Sequence, residues 1–210
     1  MARLKAGLLT AISGKIGPVV GSSWKGIEYI RTKGTRRKDT SVHLAANNTK
    51  FRLAHLFIKN MRPFLNIGYK DFAVKMTACN SAVSYIMKYA FTGTYEECKI
   101  DHSLVKVSRG GLPCAAGAVV AALPGGYAEF TWDEASIASG SAADCCMALL
   151  YSEPGNKAVY ELNGSLRSTG RFVLDARYYA GNTFHAWLAF RSADGKHVSD
   201  SVYLGQVTVQ

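Results

Sequence analysis

The last hundred or so residues alternate between β-branched or aromatic runs and turn signals, and that rhythm leaves few folds open. Leu104–Ser108 stops at Arg109-Gly110-Gly111. Ala115–Leu123 stops at Pro124-Gly125-Gly126, and Tyr127–Trp132 follows. Asp144–Ser152 stops at Pro154-Gly155-Asn156, and Lys157–Leu162 at Asn163-Gly164. Arg171–Leu174, Thr183–Arg191 and Val202–Val209 complete the set, with Asp194-Gly195 reading as the turn of a hairpin between the last two. Short strands at this spacing predict an immunoglobulin-like β-sandwich over residues 100–210. The Cys…Trp…Cys pattern of true immunoglobulin domains is absent, so architecture alone is implied. Trp132 and Trp187 fall on apolar-rich strands and are expected in the core.

Residues 41–99 have a different period. Phe51, Ala54, Ile58, Met61 and Leu65 recur at alternating steps of three and four, which is one face of an amphipathic helix. Pro63 should end or kink it, with Arg62 leaning extended. A second stripe runs through Phe72, Met76, Cys79, Val83, Ile86 and Ala90, with Gly93 as its stop signal. A short connection between two such helices implies an antiparallel pair. The fold class expected is therefore α+β: a basic N-terminal β-hairpin arm over 1–40, a helical region over 41–99 and the sandwich over 100–210.

The arm is punctuated by glycine. Ile16, Val19 and Val20 precede Lys25-Gly26, while Ile27, Tyr29 and Ile30 follow it, so a hairpin is predicted with Trp24 beside its turn. Pro18 argues for an edge position in the first run. A hairpin this short is marginal alone, so Ile16, Val19, Val20, Trp24, Ile27, Tyr29 and Ile30 are read as a subunit interface. Beyond it, Arg31, Lys33, Arg36, Arg37 and Lys38 form the densest cationic run and are candidate anion-binding residues. The run contains no aromatic, so base stacking is not indicated there.

Charge sharpens this division. Residues 1–70 hold 14 Lys and Arg against Glu28 and Asp39, whereas residues 71–210 hold 11 against 13 acidic residues. An anionic partner for the arm, nucleic acid or a neighbouring acidic subunit, follows from that asymmetry. An apolar fraction of 48% with 19% charged residues belongs to a folded chain rather than a disordered one. The five cysteines, Cys79, Cys98, Cys114, Cys145 and Cys146, are odd in number and lack zinc-site spacing, so they are read as reduced apolar residues. On a strand, Cys145 and Cys146 should face opposite sides. Met1–Gly14 is too short in its apolar part, and broken by Gly7, for a secretory signal. No apolar run approaches a membrane span.

Chemistry is sparse. Ser13-Gly14-Lys15 lacks the glycine and the Ser or Thr of a phosphate loop, since Leu9 and Ile16 stand in those places. Asp101-His102-Ser103 are consecutive, and their side chains diverge. His55 is expected to pack or hydrogen-bond beside the first helical stripe, His185 and His197 have no ligand-spaced partners, and Asp133-Glu134 reads as a solvated turn. No catalytic residue, metal site or cofactor is assigned, and the chain is read as a non-enzyme.

Four stretches carry a resemblance. They are Ser13-Gly14-Lys15-Ile16-Gly17-Pro18-Val19-Val20-Gly21 with Trp24-Lys25-Gly26 and Ile30-Arg31; Met76-Thr77-Ala78-Cys79-Asn80 with Ala82; Val107-Ser108-Arg109-Gly110-Gly111-Leu112; and Ser199-Asp200-Ser201-Val202-Tyr203-Leu204-Gly205. Together they resemble a group of functionally uncharacterised proteins of about this length from Bacteroidota and their phages. The resemblance implies a source and a layout but no reaction. It suggests a self-assembling structural protein, a virion component made in the bacterial cytoplasm, with itself or other virion proteins as partners. Nucleic-acid binding through residues 31–38, or glycan binding through Tyr178 and Tyr179, are the other readings.

Overall fold

The computed structural model describes residues 2–3, 13–24, 26–35, 41–93, 97–133 and 142–210, which fall into two compact units, Met1–Ser41 and Val42–Gln210. In the first, β1 (Ala2–Arg3), β2 (Gly14–Ile16), β3 (Val19–Trp24) and β4 (Ile27–Thr32) form an antiparallel sheet in the order β1-β4-β3-β2. Trp24 pairs with Ile27, so the two strands are joined where the sequence indicates a hairpin turn, with Gly26 at φ +77°. Lys25 itself lies outside the described residues. Pro18 does not stand in an edge strand. It lies with Gly17 (φ +56°) in the turn between Ile16 and Val19, where its missing N–H costs no ladder bond.

The second unit opens with α1 (Val42–Ile58), a 3-10 turn (Lys59–Met61), α2 (Arg62–Gly68) and, after a loop, α3 (Ala78–Tyr89). Pro63 lies in the first turn of α2, where no intrahelical donor is needed, and Arg62 is helical (φ −53°, ψ −43°) rather than extended. Of the first stripe, Ala54, Ile58, Met61 and Leu65 are buried, whereas Phe51 is half exposed. Phe57 and Phe64 complete that face. Helix α3 begins later than its stripe suggests. Thr77 caps it, its hydroxyl accepting from the Asn80 N–H at 3.1 Å, so Phe72 and Met76 precede the helix and stay partly exposed. A two-stranded ribbon, β5 (Phe91–Thr92) with β6 (Lys99–Ile100), follows.

Seven strands then build the sandwich: β7 (Val119–Leu123), β8 (Tyr127–Thr131), β9 (Cys145–Ser152), β10 (Lys157–Glu161), β11 (Arg171–Asp175), β12 (Thr183–Arg191) and β13 (Val202–Thr208). One sheet has the order β11-β8-β7 and the other β10-β9-β12-β13, all antiparallel. The first, second and fifth strands thus face the fourth, third, sixth and seventh, which is an immunoglobulin-like β-sandwich. Leu104–Ser108 is not one of its strands. A 3-10 turn covers His102–Leu104, and the backbone beyond is held by side chains and loop carbonyls instead of a ladder.

Two apolar clusters share the four-stranded sheet. Cys146, Ala148, Leu150, Ala186, Leu188 and Phe190 face the three-stranded sheet across Ala128 and Phe130. Met147, Leu149, Tyr151, Trp187 and Ala189 face the opposite way and pack with Phe57, Ile58, Met61, Phe64, Val83 and Ile86 of the helices. The helical region and the sandwich are therefore layers of one unit, the helical face burying against the outer side of the four-stranded sheet. Among the described residues, no helix is long and apolar enough to cross a membrane.

All five cysteines are free thiols, with Cys114 exposed and Cys146 buried in the sandwich. Burial also raises the Cys146 thiol pKa. Alkylation of the native chain should modify Cys114 and spare Cys146, and alkylation after unfolding without reductant should label all five. A mass short by a bridged pair would contradict the fold.

Candidate functional site

The strand register decides what the arm presents. Lys15 pairs with Val20 and Val20 with Arg31; Ser22 pairs with Tyr29 and Trp24 with Ile27. Since side chains alternate, Lys15, Val20, Ser22, Trp24, Ile27, Tyr29 and Arg31 share one face. Gly14, Ile16, Val19, Gly21, Ser23, Glu28 and Ile30 share the other. The seven residues read as a single interface are split between the two. Ile16 (62% exposed), Trp24 (49%) and Ile27 (40%) are exposed within the chain, and Val19, Val20, Tyr29 and Ile30 are half-buried. Arg31 and Lys33 are exposed, and the Lys33 N–H donates to the Pro18 carbonyl at 2.7 Å. Arg36, Arg37 and Lys38 lie outside the described residues.

The other motif-bearing stretches meet in the body. Val107 N–H donates to Ser201 Oγ (2.9 Å), Arg109 N–H to the Gly68 carbonyl (2.8 Å) and Gly110 N–H to Asp200 Oδ1 (3.0 Å). Ser108 Oγ donates to the Ser199 carbonyl (2.7 Å). Gly110 must lack a side chain, because a Cβ there would collide with the Val198 carbonyl. The Arg109 guanidinium lies over Phe72 and Tyr85, 4.2 and 4.9 Å from their centroids. Lys106 is paired with Asp200, whose hydrogen bond raises its pKa. These contacts tie the end of α2 and the body of α3 to the segment leading into β13, a structural use for the motifs.

A histidine pair lies in the helix-to-sheet layer, unmarked in sequence because its members are far apart. The His102 and His185 rings stack 3.8 Å apart at 18°, walled by Phe57, Tyr151, Trp187 and Tyr203. His185 Nδ1 is 2.8 Å from Tyr203 Oη, and Gln206 Nε2 approaches His185 Nε2 at 3.4 Å. Assigned from those partners, Nδ1–H donates to the tyrosine and Nε2 accepts, which is the neutral ring. His102 Nε2 is 3.5 Å from Glu153 Oε1, and both line a cavity of about 290 Å³. Burial pulls the His102 pKa down to about 4, with His185 adding to the effect, and burial lowers His185 as well. Asp101 has a local task instead. It accepts from Ser103 N–H (2.9 Å) and Oγ (2.6 Å), capping the 3-10 turn, and these bonds lower its pKa.

Tyr178 is 90% exposed beside a shallow groove of about 850 Å³, but the adjacent Asp175 and Arg177 are hydrogen-bonded to each other. The loop holding Asp133 continues into residues outside those described, Glu134 among them. Among the described residues, no group of three or more His, Cys, Asp or Glu is placed to hold a metal ion.

A family model described as a family of unknown function (DUF6266) matches residues 11–205, and the chain belongs to that family. No curated protein matches the sequence. Among solved structures, the chain is similar to the FN1-FN3 domains of chicken CNTN1. The TM-score is 0.33 and the identity 7%, over 48% of this chain and 33% of that one. The chain thus spans about a third of that relative's length.

Proposed function

We propose that this DUF6266 member is a non-enzymatic structural protein that self-assembles, its N-terminal sheet contacting neighbouring copies. One observation carries the reading. The arm is a compact unit with its own sheet, and the face bearing Ile16, Val19 and Ile30 has Gly14 and Gly21 between them, directly paired across β2 and β3. On that face Ile16 is 62% exposed and Val19 and Ile30 are half-buried, while Gly21 is buried. Such a face gains free energy when another surface covers it, at about 25 cal/mol for each Å² removed from water. A bacteriophage particle assembled in the bacterial cytoplasm is the setting we favour, on the sequence resemblance described above.

Removing residues 1–41 tests this. Residues 42–210 keep both apolar clusters and should remain folded. Light scattering should find the full chain in assemblies and the truncated chain as a monomer. Val19→Asp in the full chain should have the same effect on assembly. Equal assembly with and without the arm overturns the reading.

A further inference from the structure

We propose that the second face of the arm sheet binds single-stranded nucleic acid. The register puts Lys15, Val20 and Arg31 in one row across β2, β3 and β4, spanning about 10 Å at the usual strand spacing. Trp24 and Tyr29 follow on the same face, with Ile27 paired beside Trp24. Two cations and two aromatics drawn from three strands thus share one surface. Glu28, the acidic residue within these strands, pairs with Ser23 on the opposite face. The sheet is therefore sided in charge, and the unit as a whole is strongly cationic: the first 41 residues hold nine Lys and Arg against Glu28 and Asp39.

That combination selects the partner. Cations alone would suit any polyanion, including an acidic protein surface. The exposed Trp24 ring with half-buried Tyr29 beside it suits unpaired bases, whose flat faces stack on aromatics while the phosphates meet the cations. A duplex keeps its bases stacked on each other, and this face has no element shaped to enter a groove and reach their edges. Little base preference is expected, because stacking accepts every base. The face is separate from the one bearing Ile16, Val19 and Ile30, so nucleic-acid binding and assembly can be disturbed independently.

Tryptophan emission gives a local readout, since Trp132 and Trp187 are buried in the body and Trp24 is exposed. Titrating the full chain with an oligothymidylate of about 15 nucleotides, within the known site sizes of single-strand-binding folds, should quench that emission. Trp24→Leu should abolish the quenching and weaken binding about 5- to 100-fold, as followed by anisotropy of a labelled oligonucleotide. Lys15→Gln with Arg31→Gln should flatten the plot of log K against log salt by about 1.4, two single-strand phosphate contacts' worth. Light scattering of these variants should match the wild type. Three results each overturn the proposal: no quenching, binding unchanged in both variants, or equal quenching and affinity with poly-glutamate or a duplex of the same length. The second would place binding on the cationic residues elsewhere in the first 41, and the third would identify an anion surface without preference for unpaired bases.

Discussion

Arg167→Met is expected to cost the body about 3–5 kcal/mol, the usual loss when one member of a buried ion pair is removed. Arg167 is wholly buried, and its Nη2 lies 3.4 Å from Asp144 Oδ2, whose side chain is 1% exposed. The guanidinium also lies over the Phe190 ring at 3.8 Å and donates to the Pro113 carbonyl at 2.8 Å. The contact between Arg167 and Asp144 is an ion pair without a hydrogen bond: among the described residues nothing hydrogen-bonds either Asp144 carboxylate oxygen, nor Arg167 Nε or Nη1. Without Arg167, the carboxylate would have to be neutralised or hydrated inside the sandwich. The companion change Asp144→Leu removes that demand, so the double variant should recover most of the loss. Backbone bonds remain in either case, because Trp132 Nε1 donates to the Arg167 carbonyl and Arg167 N–H to the Asp144 carbonyl. Urea midpoints of the wild type, both single variants and the double form the cycle that measures this. A single-variant loss below about 1 kcal/mol would show that the carboxylate reaches water.

How much of this was legible depends on how local each cause is. The sandwich strands could be read because runs such as Ala115–Leu123 and Lys157–Leu162 end at their own glycine, proline or asparagine, and Thr183–Arg191 matches its run at both ends. The hairpin could be read from Lys25-Gly26 for the same reason. Leu104–Ser108 looks like a strand, yet side chains of Ser201, Tyr69 and Trp187 decide what its backbone bonds to, and nothing near residue 107 announces them. Strands β9 and β12 read as continuous apolar runs, which signals burial on both faces but not that a helical layer supplies the second cover. The faces of the arm were hidden because alternation in Ile-Glu-Tyr-Ile-Arg is only partial. Pairing across the hairpin, rather than pattern along it, sets Arg31 and Trp24 on one side.

The histidine pair shows the same limit, and it carries the second large effect: the body should lose stability as pH falls from about 6.5 to 4. In the unfolded chain, His102 titrates near its ordinary 6.5; in the folded chain burial holds it at about 4. Between those values the unfolded chain binds a proton that the folded chain refuses, so stability falls with falling pH. The contribution is fully present above about 6.5 and gone below about 4. A shift of this size is worth about 3 kcal/mol, and His185, lowered by burial too, acts in the same direction. Glu153 and Asp101 oppose the effect by favouring a charged ring, but burial is the larger influence on His102. Protonating either ring would also place a cation 3.8 Å from its stacked neighbour. His102→Phe keeps a flat ring among Phe57, Tyr151 and Trp187 and removes the titration. The other titrating groups are common to both proteins, so the difference between their stability curves isolates His102 and its coupling to His185. Urea unfolding at pH 7, 6, 5 and about 4.5 should show the wild type falling more steeply than the variant. Parallel curves across that range would mean that His102 gains its proton as readily folded as unfolded.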